Sequence, residues 1–354
     1  QPVGQPYYPP PQAEGHSTSF WVAIFLSLLL VVSGAVNILF LFVGLVGSAS
    51  GLSGVAMDDE AGYQVVVVAH KDADSDARIL RVPIIGAISE NLSPVIGADG
   101  GTVSQVRRAL KLAAREESIK GVIFDINSPG GGVTDSDEIW RLIKKFRADE
   151  DKPVMAFFGD VAASGGYYIA AACDKIVARP TTITGSIGVI ISTYDISDAL
   201  DKIGVKSVNL ISPHTPYKDI LSPMRPMTDD ERQKIVVIVD EMYQRFVDIV
   251  DKGRPELTRD QVQTLANGLI YSANQALSNG LVDMLADPDQ AYEEMCKMIE
   301  VEEAQIIEQR RLPTFADILF GARSRRPTTA SESLAAVLFQ TTGSKFFYFW
   351  QGGR

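Results

Sequence analysis

Two glycine-rich turns and one lysine loop carry the residue types that could do chemistry in this chain. The turns are Ser128-Pro-Gly-Gly-Gly132 and Ala163-Ser-Gly-Gly166, and each follows an apolar run. Glycine after a strand lets the backbone turn sharply and lets its N–H groups approach a ligand closely. Two such amides from neighbouring loops make a donor pair for the oxyanion of an acyl-transfer reaction. Ser164 sits inside the second turn, at the expected start of a helix. Its hydroxyl would stand at the carboxyl end of the sheet, where open α/β sheets place ligands. Taken singly, either turn is equally a tight corner that only glycine fits. Neither matches GxxxxGK[ST] or GxGxxG, and Thr184-Gly-Ser-Ile-Gly188 is a third glycine turn, weak evidence alone.

A serine hydroxyl needs a base to become a nucleophile. The chain has three histidines, His16, His70 and His214, and only His214 falls well inside the main domain. It lies in the proline-flanked stretch Ser212-Pro-His-Thr-Pro216, with no acidic partner marked for it. The same loop continues Tyr217-Lys-Asp-Ile-Leu-Ser-Pro223. A lysine there serves as a base only when its surroundings favour the neutral amine; otherwise Lys218 is a solvated surface charge. Spacing alone leaves both options open.

Composition narrows the class. A net charge of −11 with no dense Lys/Arg stripe speaks against nucleic acid as a partner. The two cysteines, Cys173 and Cys296, are far apart and in no CxxC pattern, so no metal site and no cofactor is expected. Cys173 sits in the apolar run Ile169–Cys173 and reads as a buried structural thiol.

The elements that must position these residues follow from periodicity. Residues 1–19 form a Pro-rich tail too polar to order itself. Residues 20–46 are an apolar run, with no Asp, Glu, Lys or Arg between Glu14 and Asp58. About 20 such residues span a bilayer, so a single transmembrane anchor is expected, interrupted only by Asn37. Residues 47–77 read as a linker, with Val65–Val68 as a possible short strand inside it.

The main domain is expected over 78–300. Strands are expected at Ile79–Ile85, Lys120–Asn127, Pro153–Phe158, Ile176–Ala178 and Ile187–Ser192. Helices are expected at Thr102–Glu116, 135–147, Tyr167–Ala172, Thr228–Val250, Ser272–Asn279 and Pro288–Gln309. Capping boxes mark Thr228-Asp-Asp-Glu231 and Thr258-Arg-Asp-Gln261. This alternation implies an α/β domain with a largely parallel sheet. A C-terminal extension, 301–354, ends in the aromatic run Phe346–Trp350. That run has four readings: docking on a neighbouring protomer, touching lipid headgroups, occupying a substrate groove, or packing on its own domain.

From about residue 79 to 290 the chain resembles the signal peptide peptidase A family of Ser/Lys proteases, which have a ClpP/crotonase-like fold. The residues that carry the likeness are Asp125-Ile-Asn-Ser-Pro-Gly-Gly-Gly132, Ala162-Ala-Ser-Gly-Gly-Tyr-Tyr-Ile-Ala170, Thr184-Gly-Ser-Ile-Gly-Val189 and Tyr217-Lys-Asp-Ile-Leu-Ser-Pro223. Four motifs in order are far more specific than one glycine turn. The single anchor is similar to that of the short family members.

The resemblance implies Ser164 as nucleophile, Lys218 as general base and Ser186 as the residue that orients the lysine. It implies the Gly165 amide as one half of the oxyanion hole and, from the first turn, Gly131 in preference to Gly130 or Gly132 as the other. It further implies a homo-oligomeric ring in which Ser and Lys of one site come from neighbouring subunits. The implied substrates are remnant signal peptides, and the implied location is the bacterial cytoplasmic membrane, with the catalytic domain outside the cytoplasm. Two alternatives share the fold: a crotonase-like CoA-ester enzyme, which needs no nucleophilic serine, and a catalytically silent membrane scaffold.

Overall fold

The computed structural model of the chain describes residues 22, 25–34, 37, 62–71, 73, 75–90, 101–312 and 347–349. It divides into two units, Gln1–Ala61 and Gly62–Arg354. In the first unit the described residues are helical, and Phe25, Leu26, Leu29, Leu30 and Val31 are all exposed. Asn37 donates back to the Ser33 carbonyl one turn earlier, at 2.7 Å, so its amide is partly satisfied within its own helix. Among the described residues no helix is long and apolar enough to cross a membrane. Much of the 20–46 anchor, the whole 1–19 tail and most of the 47–77 linker lie outside the described residues.

The second unit is built on one mostly parallel sheet. Its central strands are β2 (Arg78–Ile85), β3 (Ile119–Ser128), β5 (Val154–Ala163), β6 (Lys175–Ala178) and β9 (Met284–Leu285), paired in parallel in that order. Outside β2 lie β10 (Gln305–Arg311), parallel to it, and β1 (Tyr63–Ala69), antiparallel to β10. The sheet therefore takes in residues from the stretch read as linker. β1 shields the edge of β10, with the Val65–Val68 run at its centre.

Period-two alternation divides the core between the two faces. Leu80, Val122, Phe124, Ile126, Ala156 and Phe158 pack under α1 (Thr102–Arg115), α2 (Val133–Asp149), α3 (Gly165–Ala170) and the second half of α5 (Asp229–Gly253). Ile79, Ile123, Met155, Phe157 and Val177 pack instead on α8 (Pro288–Met298), through Ala291, Tyr292, Met295 and Cys296. Cys173 and Cys296 are both buried and unpaired, and burial pushes the Cys173 thiol well above its ordinary range.

Helix starts follow their caps. The Thr228 and Thr258 boxes open α5 and α6 (Arg259–Leu265), and further boxes at Ser272 and Asp287 open α7 (Ala273–Ser278) and α8. Three expected elements are corrected. β5 does not turn at Gly159 but continues to Ala163, because the Asn127 carboxamide accepts from the Val161 amide (3.2 Å) where the β3 ladder shifts register. The strand expected over Ile187–Ser192 lies earlier, as β7 (Ile183–Gly185), and stops where Gly185 and Ser186 turn to positive φ. The helix expected to run to Gln309 ends at Met298, and Glu300 at φ 58° breaks the chain direction before β10.

That last corner is held by one phenol. The Tyr292 hydroxyl donates to the Ala304 carbonyl (3.1 Å) and accepts from the Ala304 amide (3.0 Å). Removing it strands two buried backbone groups. Tyr292→Phe is therefore expected to lower stability by about 1–3 kcal/mol, read from the urea midpoint. A helix continuing through residue 304 would predict no such loss.

Candidate active site

Ser164 stands between β5 and α3 with no residue to spare. Its backbone is at φ 53° and ψ −117°, it caps α3, and it is 1% exposed. A positive φ at a non-glycine residue costs of order 1–3 kcal/mol and persists only where the surroundings over-determine it. Here the Ser164 amide donates to the Gly185 carbonyl (2.8 Å), and its carbonyl accepts from the Tyr168 amide (2.9 Å). The helix behind it is anchored through two tyrosines: Tyr167 donates to the Leu281 carbonyl (2.8 Å) and Tyr168 to Asp137 (2.6 Å). Burial pushes the Asp137 carboxyl up, but the Tyr168 hydroxyl and the Arg245 guanidinium outweigh it and hold the group below its usual range.

Strand register brings in Ser186. β7 pairs in parallel with β5, with Ala163 opposite Gly185, so Ser164 and Ser186 leave the sheet side by side. Thr184 fixes the pairing by donating to the Ala162 carbonyl (2.6 Å). Gly185 is at φ +86°, and a Cβ there would come within 2.6 Å of the Tyr271 ring, so no other residue fits. Ser186 is itself at φ 48°, and its amide donates to the Leu269 carbonyl (2.7 Å) of the chain entering β8 (Ile270–Ser272).

The first glycine turn lies against the second. Gly130–Gly132 forms a short strand, β4, beside Ile88: Ile88 donates to the Gly130 carbonyl and accepts from the Gly132 amide, both at 2.9 Å. By strand alternation the N–H and C=O of Gly131 face the other way. A Cβ at Gly131 would fall 2.0 Å from the Ile88 carbonyl oxygen. A Cβ at Gly165 would meet the Ser136 hydroxyl at 2.6 Å and the Gly131 nitrogen at 3.1 Å. The amide of Gly131 and the first helical residue after Ser164 are thus immediate neighbours. Ser136, buried and with no hydrogen-bond partner for its hydroxyl among the described residues, fills the space behind them.

The free edge of β4 carries a strand from the chain's own C-terminal end. β11 (Phe347–Phe349) pairs antiparallel with β4, Tyr348 opposite Gly131, and also lies against α2 and α3. The side of Gly131 that faces away from Ile88 therefore faces this strand.

Lys218 is not brought to Ser164 as a buried partner. It is exposed, on a turn where its amide donates to the Thr215 carbonyl (3.1 Å), and its ammonium makes no hydrogen bond or ion pair with a described residue. The stretch 189–228 holds little regular structure beyond α4 (Ser197–Lys202). His214 is exposed in the same loop, and among the described residues its one hydrogen bond is from its backbone amide to the Ser212 hydroxyl. His70 stacks on Tyr292 at 3.7 Å, against the helix on the opposite face of the sheet. Sequence reasoning did not single out Asn127, Ser136 or Arg225. Asn127 and Ser136 lie in or next to the first turn, and their neighbourhood was the available signal.

A strained serine at a helix head, with a second glycine amide beside the helix's first residue, is the arrangement of a serine hydrolase that works by acyl transfer. Comparison with known proteins narrows the class. A model of peptidase family S49 matches residues 146–302, and a Clp protease model matches residues 97–186. A putative signal peptide peptidase SppA of Enterococcus faecium is 33% identical over 289 residues, 79% of this chain and 83% of the relative. A putative protease of Synechocystis is 39% identical over 60% of this chain and 72% of the relative. The chloroplastic serine protease SPPA of Arabidopsis thaliana is 32% identical over 56% of this chain and 29% of the relative. The chain belongs to peptidase family S49 and is a serine peptidase similar to signal peptide peptidase SppA, on a ClpP-like α/β domain. The CoA-ester and silent-scaffold alternatives lose their support.

Two expectations follow from the packed turns. Gly131→Ala drives a methyl group into Ile88 and displaces one candidate oxyanion donor, so peptidase turnover is expected to fall by about 10²–10³. Deleting residues 345–354 uncovers the β4 edge and is expected to raise the turnover of a short fluorogenic peptide. Unchanged turnover in the deletion would show that β11 does not compete with substrate.

Proposed function

We propose that the chain is a membrane-anchored endopeptidase with a Ser164/Lys218 dyad that degrades remnant signal peptides. The observation that carries this reading is the junction at Ser164: a buried serine in a strained conformation, with Ser186 beside it in register and the Gly131 nitrogen against Gly165.

In this mechanism the Ser164 hydroxyl gives its proton to neutral Lys218 as Oγ attacks the peptide carbonyl. The tetrahedral oxyanion accepts from the Gly165 and Gly131 amides. Lys218 then returns the proton to the departing amine, and water, deprotonated by the same lysine, hydrolyses the acyl-enzyme. Ser186 orients the lysine. The substrate adds to the free edge of β4 as an extended strand, in the position β11 takes here, since an unpaired strand edge is a template for peptide binding. No metal or cofactor takes part.

Lys218 is exposed in a lone protomer, which favours a second copy that buries it next to a serine. The surface around Lys218 supports such a copy. Ile203 is 71% exposed, Val208 77% and Leu210 96%, and Val236 and Val237 of α5 are exposed nearby in sequence. Exposed apolar runs of this kind mark association surfaces. We assign them to a homo-oligomeric ring in which the lysine of one protomer serves the serine of its neighbour. The apolar stretch 20–46, with its exposed helical residues, serves as a single-pass anchor in the bacterial cytoplasmic membrane. We assign the domain to the extracytoplasmic side, as the resemblance to the signal peptide peptidase A family implies.

Ser164→Ala and Lys218→Ala are each expected to abolish cleavage of an apolar peptide by the detergent-solubilised protein. Co-assembly of the two inactive variants is expected to restore part of the activity, because some sites then pair an intact serine with an intact lysine across an interface. Full activity in Lys218→Ala would remove lysine as the base. Mixing that restores nothing would place both residues in one protomer.

A further inference from the structure

The segment bearing Lys218 is tied to α5 chiefly by the guanidinium of Arg225, with Lys234 of the helix packed over the Tyr217 ring. Arg225 engages Asp219 through Nε (3.1 Å to Oδ2) and Nη2 (2.7 Å to Oδ1). It engages Glu231 through Nη1 (2.9 Å to Oε2) and Nη2 (2.5 Å to Oε1). Asn209 adds a third donor to the Asp219 carboxylate, at Oδ2 (3.0 Å). Glu231 is in turn the third helical residue of the capping box that opens α5, accepting from the amide of the N-cap Thr228 at 2.9 Å. Paired, two-point bonds of this kind fix geometry as well as charge. Arg225 thus ties the residue that follows Lys218 to the first turn of a 25-residue helix.

The electrostatic consequence concerns the base. A lysine that works as a base must be neutral, and an unpaired carboxylate within about 4–6 Å favours the ammonium, raising the lysine pKa by about 1–3 units. Asp219 is next in the chain to Lys218. Both of its oxygens are taken up by Arg225 and Asn209, and those bonds hold the carboxyl well below the usual range. Glu231 is likewise held down to about 2, chiefly by Arg225. Asp230 and Lys234 on α5 bind each other at 2.8 Å, Lys234 lies over the Tyr217 ring, and His214 is exposed four residues upstream.

We propose that Arg225 is a positioning residue for the reaction: it holds the Lys218 turn in place and neutralises Asp219, so that the aspartate does not stabilise the lysine in its protonated form. The inference depends on Lys218 being the base.

The test is the pH profile of kcat/KM in the full-length, detergent-solubilised protein, with the assembly state of each variant measured alongside. Arg225→Met leaves Asp219 uncompensated, and the rising limb is expected to move up by about 1–3 pH units. Asp219→Asn leaves Arg225 partly uncompensated and moves the limb down. The double variant returns it toward the parent position.

A purely structural clamp predicts something else: activity lost at every pH in both single variants, no opposed shifts and no rescue in the double. That result would overturn the proposal, as would an Arg225→Met profile identical to the parent. If Arg225→Met fails to assemble, Asp219→Asn alone decides by the sign of its shift. Lys218→Ala run in parallel separates the two readings. Activity surviving there refutes the base itself, whereas activity lost there with no shift in the Arg225 and Asp219 variants refutes only the role of Arg225.

Discussion

The backbone at Ser164 is the constraint on which the rest of the site depends. A strand and a helix meet there without an intervening loop, and the serine takes a left-handed conformation to let them do so. Such a conformation is unfavourable for any side chain with a Cβ, so neighbouring structure must impose it. β7 supplies the Gly185 carbonyl on one side, and α3 supplies the Tyr168 amide on the other. Glycines at 131, 165 and 185 are then forced, because each has a neighbour where a Cβ would lie. The turns that look like separate motifs along the chain are a single packed junction in space.

The same junction explains why the sheet is built as it is. β5 must reach Ala163, beyond the point where its ladder with β3 shifts register, and the Asn127 side chain replaces the missing backbone partner. Parallel pairing with β7 then delivers Ser186 beside Ser164. The hydroxyls of Thr182 and Thr184, buried at this end, donate to backbone carbonyls. The Ser136 hydroxyl, which lies against Gly165, has no partner among the described residues. An unsatisfied buried hydroxyl costs stability, and it sits where the two glycine turns touch.

The lysine segment follows a different logic. It contributes little to the core, exposes large apolar side chains and is held mainly by ion pairs with α5. A segment of this kind has few internal contacts to define it, so its definition comes from the Arg225 clamp and from whatever covers its apolar side. Ser164, the proposed nucleophile, is fixed by the fold of one chain, whereas Lys218, the proposed base, is presented on a surface. That asymmetry separates the two halves of the proposed dyad more sharply than their distance along the chain does.

The sequence by itself determined the α/β class, the buried central strands, the capped starts of α5 and α6, and the two glycine turns. Each of these is a local matter of hydrophobic period, cap chemistry or backbone freedom. It also offered Ser164, Lys218 and Ser186 as candidates, although only through the order of four motifs, since a lysine in a polar loop has no local signature of a base. Tertiary structure decided what depends on pairing between distant segments. β10 is a strand because residues 305–307 lie beside β2, where Ile306 and Ile307 are buried, although their spacing also suits a helix. β1 joins the sheet because β10 offers it an edge, and β7 ends at Gly185 because Tyr271 and Leu269 close over it. The contact between Gly131 and Gly165 belongs to this group too: residues 34 apart in the chain become neighbours only when β4 folds back along Ile88, and no local propensity encodes that approach.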